Sequence, residues 1–263
     1  MNTDFDNKFS TRKVNQSTFY YERNESMLKK HYAVYIADTG LARTIHHHLR
    51  YRVYCERKQY ENPIDATIPE EHDSHDAFAT HFIVRNGGNW QGTARLIMST
   101  RTQLPVQKMG ALYPQAEQQL LRLPVAEVSR LAALRSACRW SPSNRHLLQA
   151  TITGLLDYSH RRSIEHLIFL ISPGLARILA RIGVPMEECG PSVEHRGQRQ
   201  AFSASVAQAI ENIPWVRRNL KAGRCCHYFS ESTFAHADNE SWVTGAALEG
   251  TAGLAHQQAA PAM

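Results

Sequence analysis

The sequence predicts an α+β fold in which one central, mixed and mostly antiparallel sheet is flanked by helices. Residues 77–86 and 90–100 are strand-like, and the turn sequence NGGN between them indicates an antiparallel hairpin. Two later strand-like segments, 125–134 and 164–171, are each followed by a helical segment, which predicts that these two strands are parallel neighbours. A chain of 263 residues with 43% hydrophobic content can bury a substantial core.

The first predicted element is a helix between residues 36 and 60. Leu41, Ile45, Leu49 and Val53 recur there at four-residue spacing, which is typical of the buried stripe of an amphipathic helix. We therefore expect one helix ahead of the hairpin.

Irregular structure is predicted on both sides of the hairpin. Residues 61–73 contain two prolines, and residues 105–123 have a mixed pattern. The strand at 125–134 follows, and the sequence SPSNRH, residues 141–146, then supplies residues typical of a helix start.

The last part of the predicted sheet begins with the continuous apolar strand at 164–171, whose pattern indicates burial on both faces. A short helix follows, with Ser172 as its cap, Pro173 at its start and Gly183 at its end. The remaining predicted elements are two strands and a short helical segment, at 184–189, 199–206 and 206–220.

The chain is expected to consist of one folded domain at 31–225 between two flexible ends. Residues 1–30 are polar, and residues 226–263 are rich in Ala, Gly and Gln without periodicity. No apolar run approaches the roughly 18 residues of a membrane span, and the polar N-terminus does not resemble a secretory signal. These features predict a cytoplasmic protein without a transmembrane segment.

The charge of the chain bears on its partners, and its cysteine content bears on disulfides and zinc sites. The net charge of +6 favours a negatively charged partner. The arginines are spread along the chain without interleaved aromatic residues, so no nucleic-acid interface is expected. Five scattered cysteines without a CxxC pair predict neither a disulfide framework nor a zinc cage.

Polar residues recur at positions where a strand or helix face should be apolar. They are Arg50, Asp73, Asp76, Arg95, Glu127, Ser129 and Arg130. Because buried charges are costly unless they are paired, these arginines and carboxylates are expected to form a network at one end of the sheet. Such a network either serves catalysis or only orients the chain.

The strand at 125–134 holds three of these residues. Along a regular strand Glu127 and Ser129 face one side and Arg130 the other, so a β-bulge is needed to bring Glu127 and Arg130 together. A bulge also frees a backbone N–H, which is the kind of donor that binds a developing oxyanion.

A series of short motifs carries a resemblance to a known family. The series consists of Arg50, Tyr54 and Tyr60, followed by DSHD, GTARL and EVSR. In spacing and order it resembles the acyl-homoserine-lactone synthases, although Tyr54 and Tyr60 stand where that family has Phe and Trp. It resembles still more the N-acyl amino acid synthases and the acyltransferases that accompany PEP-CTERM/exosortase systems.

The resemblance implies a GNAT-like fold and an N-acyltransferase that uses no tightly bound cofactor. It implies an acyl donor carried as a phosphopantetheine thioester, usually on acyl carrier protein, and a small-molecule amine such as an amino acid as acceptor. Acyl-CoA is the other possible donor. The alternatives are a homoserine-lactone synthase that uses S-adenosylmethionine and a non-catalytic GNAT-like binding protein.

The resemblance also assigns roles to residues. Glu127 is the expected general base for the amine, with Arg130 and Ser129 as its catalytic companions. Arg130 either holds Glu127 ionised or binds the acceptor's carboxylate. The residues expected to bind substrate are Arg50, Tyr54, Tyr60, Asp73, Asp76 and Arg95. The residues expected to contact the acyl or pantetheine group are Leu131, Ala132 and Ala133.

The acidic residues of the DSHD motif have two possible roles. Asp73 is expected to hold Arg50 or Arg95 in place, whereas Asp76 either does the same or attracts the ammonium form of the acceptor.

The strand at 127–134 is expected to separate from the strand at 165–171 to admit the pantetheine arm.

The absence of a Gly-rich pyrophosphate loop favours a carrier protein over free coenzyme A as donor. Arginines that are candidates for contact with an acidic carrier surface are Arg145, Arg161, Arg162, Arg177 and Arg181.

No metal site is expected, although two histidine clusters invite one. Consecutive helical residues point about 100° apart, so His46, His47 and His48 cannot all bind one ion. The sequence HDSHD with His81 contains the ligand types of a His/Asp site, but its order fits the Asp-x2-Asp motif better.

Overall fold

The computed structural model describes residues 32–63, 65, 67–134, 142–222 and 227–229, apart from the side chains of 142–144 and 228. The predicted extension at 1–30 and most of the predicted tail at 226–263 lie outside this described part. No helix within it is long and apolar enough to cross a membrane.

Eight strands form one sheet in the described part of the chain. They are β1 Tyr32–Ile36, β2 Ala79–Asn86, β3 Asn89–Met98, β4 Val125–Ala133, β5 His166–Ile171, β6 Glu187–Glu194, β7 Gln198–Ser205 and β8 His227–Tyr228. Their order across the sheet is β6-β7-β5-β4-β3-β2-β1-β8. The pairs β4/β5 and β1/β8 are parallel and the other pairs are antiparallel. The prediction of a mixed, mostly antiparallel sheet with a central parallel pair is confirmed.

The helices lie between these strands in sequence. They are α1 Gly40–Tyr51, α2 Pro105–Lys108, α3 Pro114–Leu120, α4 Pro142–Arg161, α5 Pro173–Arg181, α6 Val206–Asn212 and α7 Pro214–Lys221. A π-helical segment, Arg52–Arg57, continues α1, and a single 3-10 turn, Asp76–Phe78, precedes β2.

The predicted helix at 36–60 starts too early, and its helical structure ends at Arg57. Residues Tyr32–Ile36 form β1, and α1 begins only after Thr39, whose side chain accepts a hydrogen bond from the Ala42 N–H at 3.2 Å. Ile45 and Leu49 are buried as predicted, whereas Leu41 is exposed.

The C-terminal elements follow the prediction closely. Ser172 caps α5 through the Leu175 N–H, Pro173 is its first residue, and Gly183 ends it in a left-handed conformation with φ of 103°. Beyond α7, β8 pairs with β1 and Phe229 is buried, so the fold extends into the segment that the sequence assigned to the tail.

The two faces of the sheet are covered differently. One face carries the largest apolar cluster, to which α4, α5, α6 and α7 all contribute. The opposite face carries two smaller clusters: one includes residues of α1, and the other includes residues of α2 and α3. The polar side chains of the candidate site lie on this second face, because Arg95 and Glu127 alternate with the residues of the large cluster along β3 and β4.

Candidate active site

The site is built on a β-bulge in β4. Arg95 of β3 pairs with Ser129 and Thr93 pairs with Ala132, so Arg130 and Leu131 together oppose the single residue Ala94. Arg130 has a left-handed backbone with φ of 50°. The bulge predicted from the sequence is confirmed, and it turns Arg130 onto the same face as Ser129.

The two parallel strands separate just before the bulge. Pairing of β4 with β5 ends at Val128 and Phe169, although β4 runs on to Ala133. The predicted opening between these strands is therefore present. It exposes backbone in the part of β4 that contains the predicted pantetheine-binding residues Leu131, Ala132 and Ala133.

Two side chains of the π-helical segment contact this part of β4. The Tyr54 hydroxyl lies 3.5 Å from the Leu131 carbonyl oxygen, and Arg57 Nη2 donates to the Ala133 carbonyl oxygen at 2.9 Å. The Arg130 guanidinium lies over the Tyr54 ring, 5.3 Å from its centroid. Tyr60, by contrast, is exposed and has Lys58 near its ring.

Arg50 is the most deeply buried arginine of the site, with no exposed surface. Its Nε donates to Glu71 at 2.6 Å and its Nη1 donates to Asp76 at 2.7 Å. Its Nη2 is buried and has no hydrogen-bond partner within the described residues. One donor of this guanidinium is therefore available to a polar group that enters the site.

Arg95 joins the DSHD motif to β4. Its Nη1 donates to Asp73 at 2.6 Å and to Asp76 at 2.8 Å, and its Nε donates to the Ser129 hydroxyl at 3.0 Å. Asp76 also accepts the Asp73 N–H at 2.6 Å. Both aspartates thus hold arginines in place, as the sequence suggested for Asp73 and left open for Asp76.

Arg130 binds three carboxylates. Its Nη2 lies 2.9 Å from Glu71, 3.0 Å from Asp73 and 3.2 Å from Glu61. Glu61 also contacts Arg196, which lies in the turn between β6 and β7. The expected network of arginines and carboxylates is present, but Glu71 and Glu61 occupy the place beside Arg130 that the sequence analysis gave to Glu127.

The arginines keep the network carboxylates ionised. Burial by itself would raise the pKa of Glu71, but hydrogen bonds and charge from Arg50 and Arg130 outweigh it and hold that pKa below its usual value. The pKa values of Asp73 and Asp76 are likewise lowered by their arginine partners against the effect of burial. None of these three carboxylates is poised to take up a proton near neutral pH.

Glu127 lies on the same strand but in a different environment. It is 3% exposed and forms no ion pair among the described residues; its carboxylate accepts the Val106 N–H at 2.8 Å. Burial raises the pKa of Glu127 to about 7, although this hydrogen bond and the nearby Arg95 and Arg130 oppose the shift. A carboxylate that titrates near neutral pH is suited to general-base catalysis.

A histidine cluster borders the network. The His46 and His81 rings are 4.6 Å apart, and burial lowers the pKa of His47 and of His81 to about 4, so both are neutral at pH 7. His47, Asp76 and His81 each place a potential ligand atom within 4.8 Å of the others.

This cluster fits a metal ion poorly. Asp76 Oδ1 already binds two guanidiniums, and the His81 nitrogens lie 3.2 Å from His46 Nε2 and 3.1 Å from the Asp76 carbonyl oxygen. A cation there would have to displace buried ion pairs. No metal enters the mechanism below.

Sequence reasoning missed four residues of the site: Arg57, Glu61, Glu71 and Arg196. Glu61 and Glu71 lie at the two ends of an irregular segment with no periodicity, and Arg196 lies in a hairpin turn. Only Glu71 had a usable signal, since it stands two residues before the DSHD motif.

Comparisons with known proteins identify the family of the chain. The family model for the N-acyl amino acid synthase FeeM matches residues 46–196, which is more than half of the chain. This range includes β2 to β6 and all the network residues. No curated protein matches the chain in sequence.

Several solved structures share the fold. The acyl-homoserine-lactone synthase LasI is 19% identical, with a TM-score of 0.54 over 69% of this chain and 94% of its own. FeeM from uncultured soil microbes is 18% identical, with a TM-score of 0.54 over 71% of this chain and 97% of its own. BjaI, a CoA-dependent acyl-homoserine-lactone synthase, is 13% identical, with a TM-score of 0.55 over 82% and 99%.

These findings confirm the GNAT-like α+β fold and the family resemblance read from the motifs. The fold likeness extends along nearly the whole length of each of these proteins. The chain belongs to the FeeM family of N-acyl amino acid synthases and is an acyltransferase of the autoinducer-synthase-like type.

Proposed function

We propose that the protein transfers a fatty acyl group from the phosphopantetheine thioester of acyl carrier protein to the α-amine of an amino acid. The observation that carries this proposal is Glu127, a buried carboxylate that forms no ion pair with any described residue and whose pKa is raised to about 7. It lies one residue before the point where β4 and β5 separate.

Glu127 acts as the general base. The acceptor amine has a pKa near 8 and arrives mainly as an ammonium ion. The Glu127 carboxylate takes one proton from it, directly or through water. The freed nitrogen lone pair then attacks the thioester carbonyl carbon and forms the C–N bond.

Collapse of the tetrahedral intermediate completes the reaction. The C–S bond breaks, the thiolate takes the second proton from nitrogen, and an amide and a free thiol result. Glu127 passes its proton to solvent. Backbone N–H groups freed by the bulge at Arg130 are the proposed donors to the oxyanion, and Ser129, fixed by Arg95, lines this region.

The opening between β4 and β5 is the proposed site for the pantetheine arm, with Leu131, Ala132 and Ala133 along its edge. Two carbonyl groups of this edge are already engaged by Tyr54 and Arg57. An arm that bonds to the Ala133 carbonyl must therefore share that oxygen with Arg57 or replace Arg57 there.

The arginine network positions the acceptor. Arg50 contributes Nη2, which has no partner among the described residues. Tyr54 supplies an aromatic wall beneath Arg130, and Asp73 and Asp76 hold Arg95 and Arg50 in place. Tyr60, near the edge of this region, is the proposed outer wall of the acceptor pocket.

The finer assignments rest on the sequence. A carrier-protein donor is favoured by the lack of a Gly-rich pyrophosphate loop, and association with a PEP-CTERM/exosortase system is proposed from the motif resemblance alone. A cytoplasmic location is proposed because no apolar run of the sequence approaches the roughly 18 residues of a membrane span. BjaI is CoA-dependent, so acyl-CoA is the donor to test against the carrier.

The test is product formation by the purified chain. The protein is incubated with acyl carrier protein or acyl-CoA thioesters of several chain lengths, together with amino acids or S-adenosylmethionine, and products are identified by mass spectrometry. An N-acyl amino acid from the carrier thioester supports the proposal. If product forms from acyl-CoA alone, the donor is acyl-CoA and not the carrier thioester. If an acyl-homoserine lactone forms, the acceptor is S-adenosylmethionine and not an amino acid.

The variant Glu127→Gln tests the proposed base. Loss of a general base lowers the turnover rate by about a hundredfold to ten-thousandfold. Glu211→Gln, which changes an exposed carboxylate on α6, is the matched control and should leave the rate unchanged. An unchanged rate in Glu127→Gln would remove Glu127 from the mechanism.

A further inference from the structure

One carboxylate of the site, Glu61, contacts an arginine that lies outside the inner network. A single oxygen of Glu61, Oε1, contacts the guanidiniums of both Arg130, at 3.2 Å, and Arg196. Two guanidiniums that converge on one oxygen form a strong carboxylate-binding arrangement. The protein fills this arrangement with one of its own side chains.

Arg196 approaches from the opposite side of the opening. It belongs to the turn between β6 and β7, and β7 pairs with β5, whereas Arg130 belongs to β4. Because β4 and β5 separate at this end, the contact through Glu61 bridges the two edges of the opening. A small molecule at this point would lie beside the proposed path of the pantetheine arm.

The turn is fixed so that Arg196 points to this place. Arg196 has a left-handed backbone with φ of 56°, and Arg199 Nη2 donates to the Arg196 carbonyl oxygen at 2.9 Å. The Gly197 N–H donates to Glu194 at 3.1 Å. A non-glycine residue in this conformation costs free energy, which the surrounding turn must offset.

Glu61 is the most easily replaced carboxylate around Arg130. Glu71 is 4% exposed and also binds Arg50, and Asp73 also binds Arg95. Glu61 is 23% exposed, lies in an irregular segment, and makes no ion pair with the buried Arg50 or Arg95 in the described part of the chain. It can leave without breaking the inner network.

We infer that the α-carboxylate of the acceptor binds between Arg130 and Arg196 by displacing Glu61. The inference rests on the proposed function and names the acceptor class: α-amino acids with a free carboxylate, as opposed to their amides or simple amines. The exchange leaves the charge balance of the site unchanged, because one carboxylate replaces another.

The arrangement also places the reacting amine. In an α-amino acid the amine and the carboxylate share one carbon atom, so the amine of a carboxylate bound at Arg130 lies beside the bulge. Glu127 is three residues before Arg130 on the same strand. Arg130 and Arg196 are thus positioned to select the acceptor, and in the proposed function Glu127 deprotonates its amine directly or through water.

The experiment compares matched acceptor pairs that differ only in the carboxylate. Leucine and leucinamide, and phenylalanine and phenylalaninamide, are tested for acyl transfer and, independently, for equilibrium binding by calorimetry. The wild type is expected to prefer each acid. Arg196→Gln should weaken binding of the acid and raise its KM by roughly tenfold or more, because it removes a hydrogen bond between charged groups, and should leave the amide unchanged.

Two further variants guard against a merely structural effect. Arg196→Lys keeps the positive charge but loses the two-pronged guanidinium, and it should retain part of the preference for the acid over the amide. Glu61→Gln removes the competing carboxylate and should lower the KM for the acid but not for the amide. Arg217→Gln, which alters an exposed arginine on α7, is the control.

The outcomes separate this inference from the proposed function. Acyl transfer with an acid-to-amide ratio that Arg196→Gln does not change would overturn the inference and leave the function standing. Absence of transfer to any amine by the wild type would overturn the function. The binding ratio then still decides the carboxylate site, since equal affinity for acid and amide in the wild type contradicts it.

Discussion

Two neighbouring regions on one face of the sheet hold their carboxylates in opposite ways. In the arginine network, Glu71, Asp73 and Asp76 are bound by guanidiniums that lower their pKa values. Glu127 lies on the strand that contributes Arg130. Among the described residues its carboxylate has only a backbone N–H as partner, and its pKa is raised to about 7. Burial acts in the same direction on all four groups.

The difference shows that a direct cationic partner decides the sign of the shift. A guanidinium in hydrogen-bond contact outweighs the desolvation of a carboxylate, whereas the more distant charges of Arg95 and Arg130 do not outweigh it at Glu127. The network therefore provides a rigid, ionised frame, and the unpaired carboxylate provides the group that can exchange a proton.

The largest expected effect comes from breaking the frame. Asp76→Asn keeps the shape of the side chain but removes the negative charge that faces Arg50 and Arg95. Loss of one partner of a buried ion pair should lower the free energy of unfolding by about 3–5 kcal/mol. Chemical denaturation at pH 7 measures it, and a loss below about 1 kcal/mol would mean that the network does not stabilise the fold.

Removal of the other kind of carboxylate should have the opposite effect on stability. Glu127 holds its proton to about pH 7 in the folded chain but only to about pH 4.5 when unfolded, so wild-type stability falls as the pH rises through this window. At pH 8, Glu127→Gln should raise the free energy of unfolding by roughly 3 kcal/mol. At pH 4 the two proteins should be equally stable.

Denaturation curves at the two pH values test this prediction. Equal stability of wild type and Glu127→Gln at pH 8 would show that Glu127 is not held at a raised pKa. A lower stability of the variant at both values would point to lost packing or hydrogen bonding at the Val106 N–H instead.

The smallest effect is expected at an exposed pair. Arg52 and Glu56 lie 3.6 Å apart on the π-helical segment and are both about half exposed. Glu56→Gln should change the free energy of unfolding by less than about 0.5 kcal/mol and should respond to salt. If Glu56→Gln lowered the free energy of unfolding as much as Asp76→Asn does, burial could not be the reason why the two carboxylates differ in their contribution to stability.

The sequence was sufficient for the framework of this site. The hairpin was predicted from its turn residues and the parallel pair from apolar runs. The bulge was predicted from Arg130, a charged residue in a strand that should be buried. Each of these features has a local signature in the sequence. Strand β1 was missed because its five residues run almost directly into the helix capped by Thr39.

The partners of Arg130 could not be predicted. Glu61 is separated from Arg130 by 69 residues and from Arg196 by 135, and neither pairing has a spacing rule. The sequence analysis paired Arg130 with Glu127 because the two are close along the strand. Tertiary structure gave Arg130 other carboxylates, and for that reason Glu127 kept a raised pKa.

The most direct test of the account is the pH dependence of kcat/KM for acyl transfer to an amino acid, measured for the wild type and for Glu127→Gln. The account predicts that wild-type activity rises with pH through a midpoint of about 7. The variant should lack this limb, and its residual activity should follow the ionisation of the amine near pH 8. The same midpoint near 7 in both proteins would contradict the assignment of Glu127 as the base.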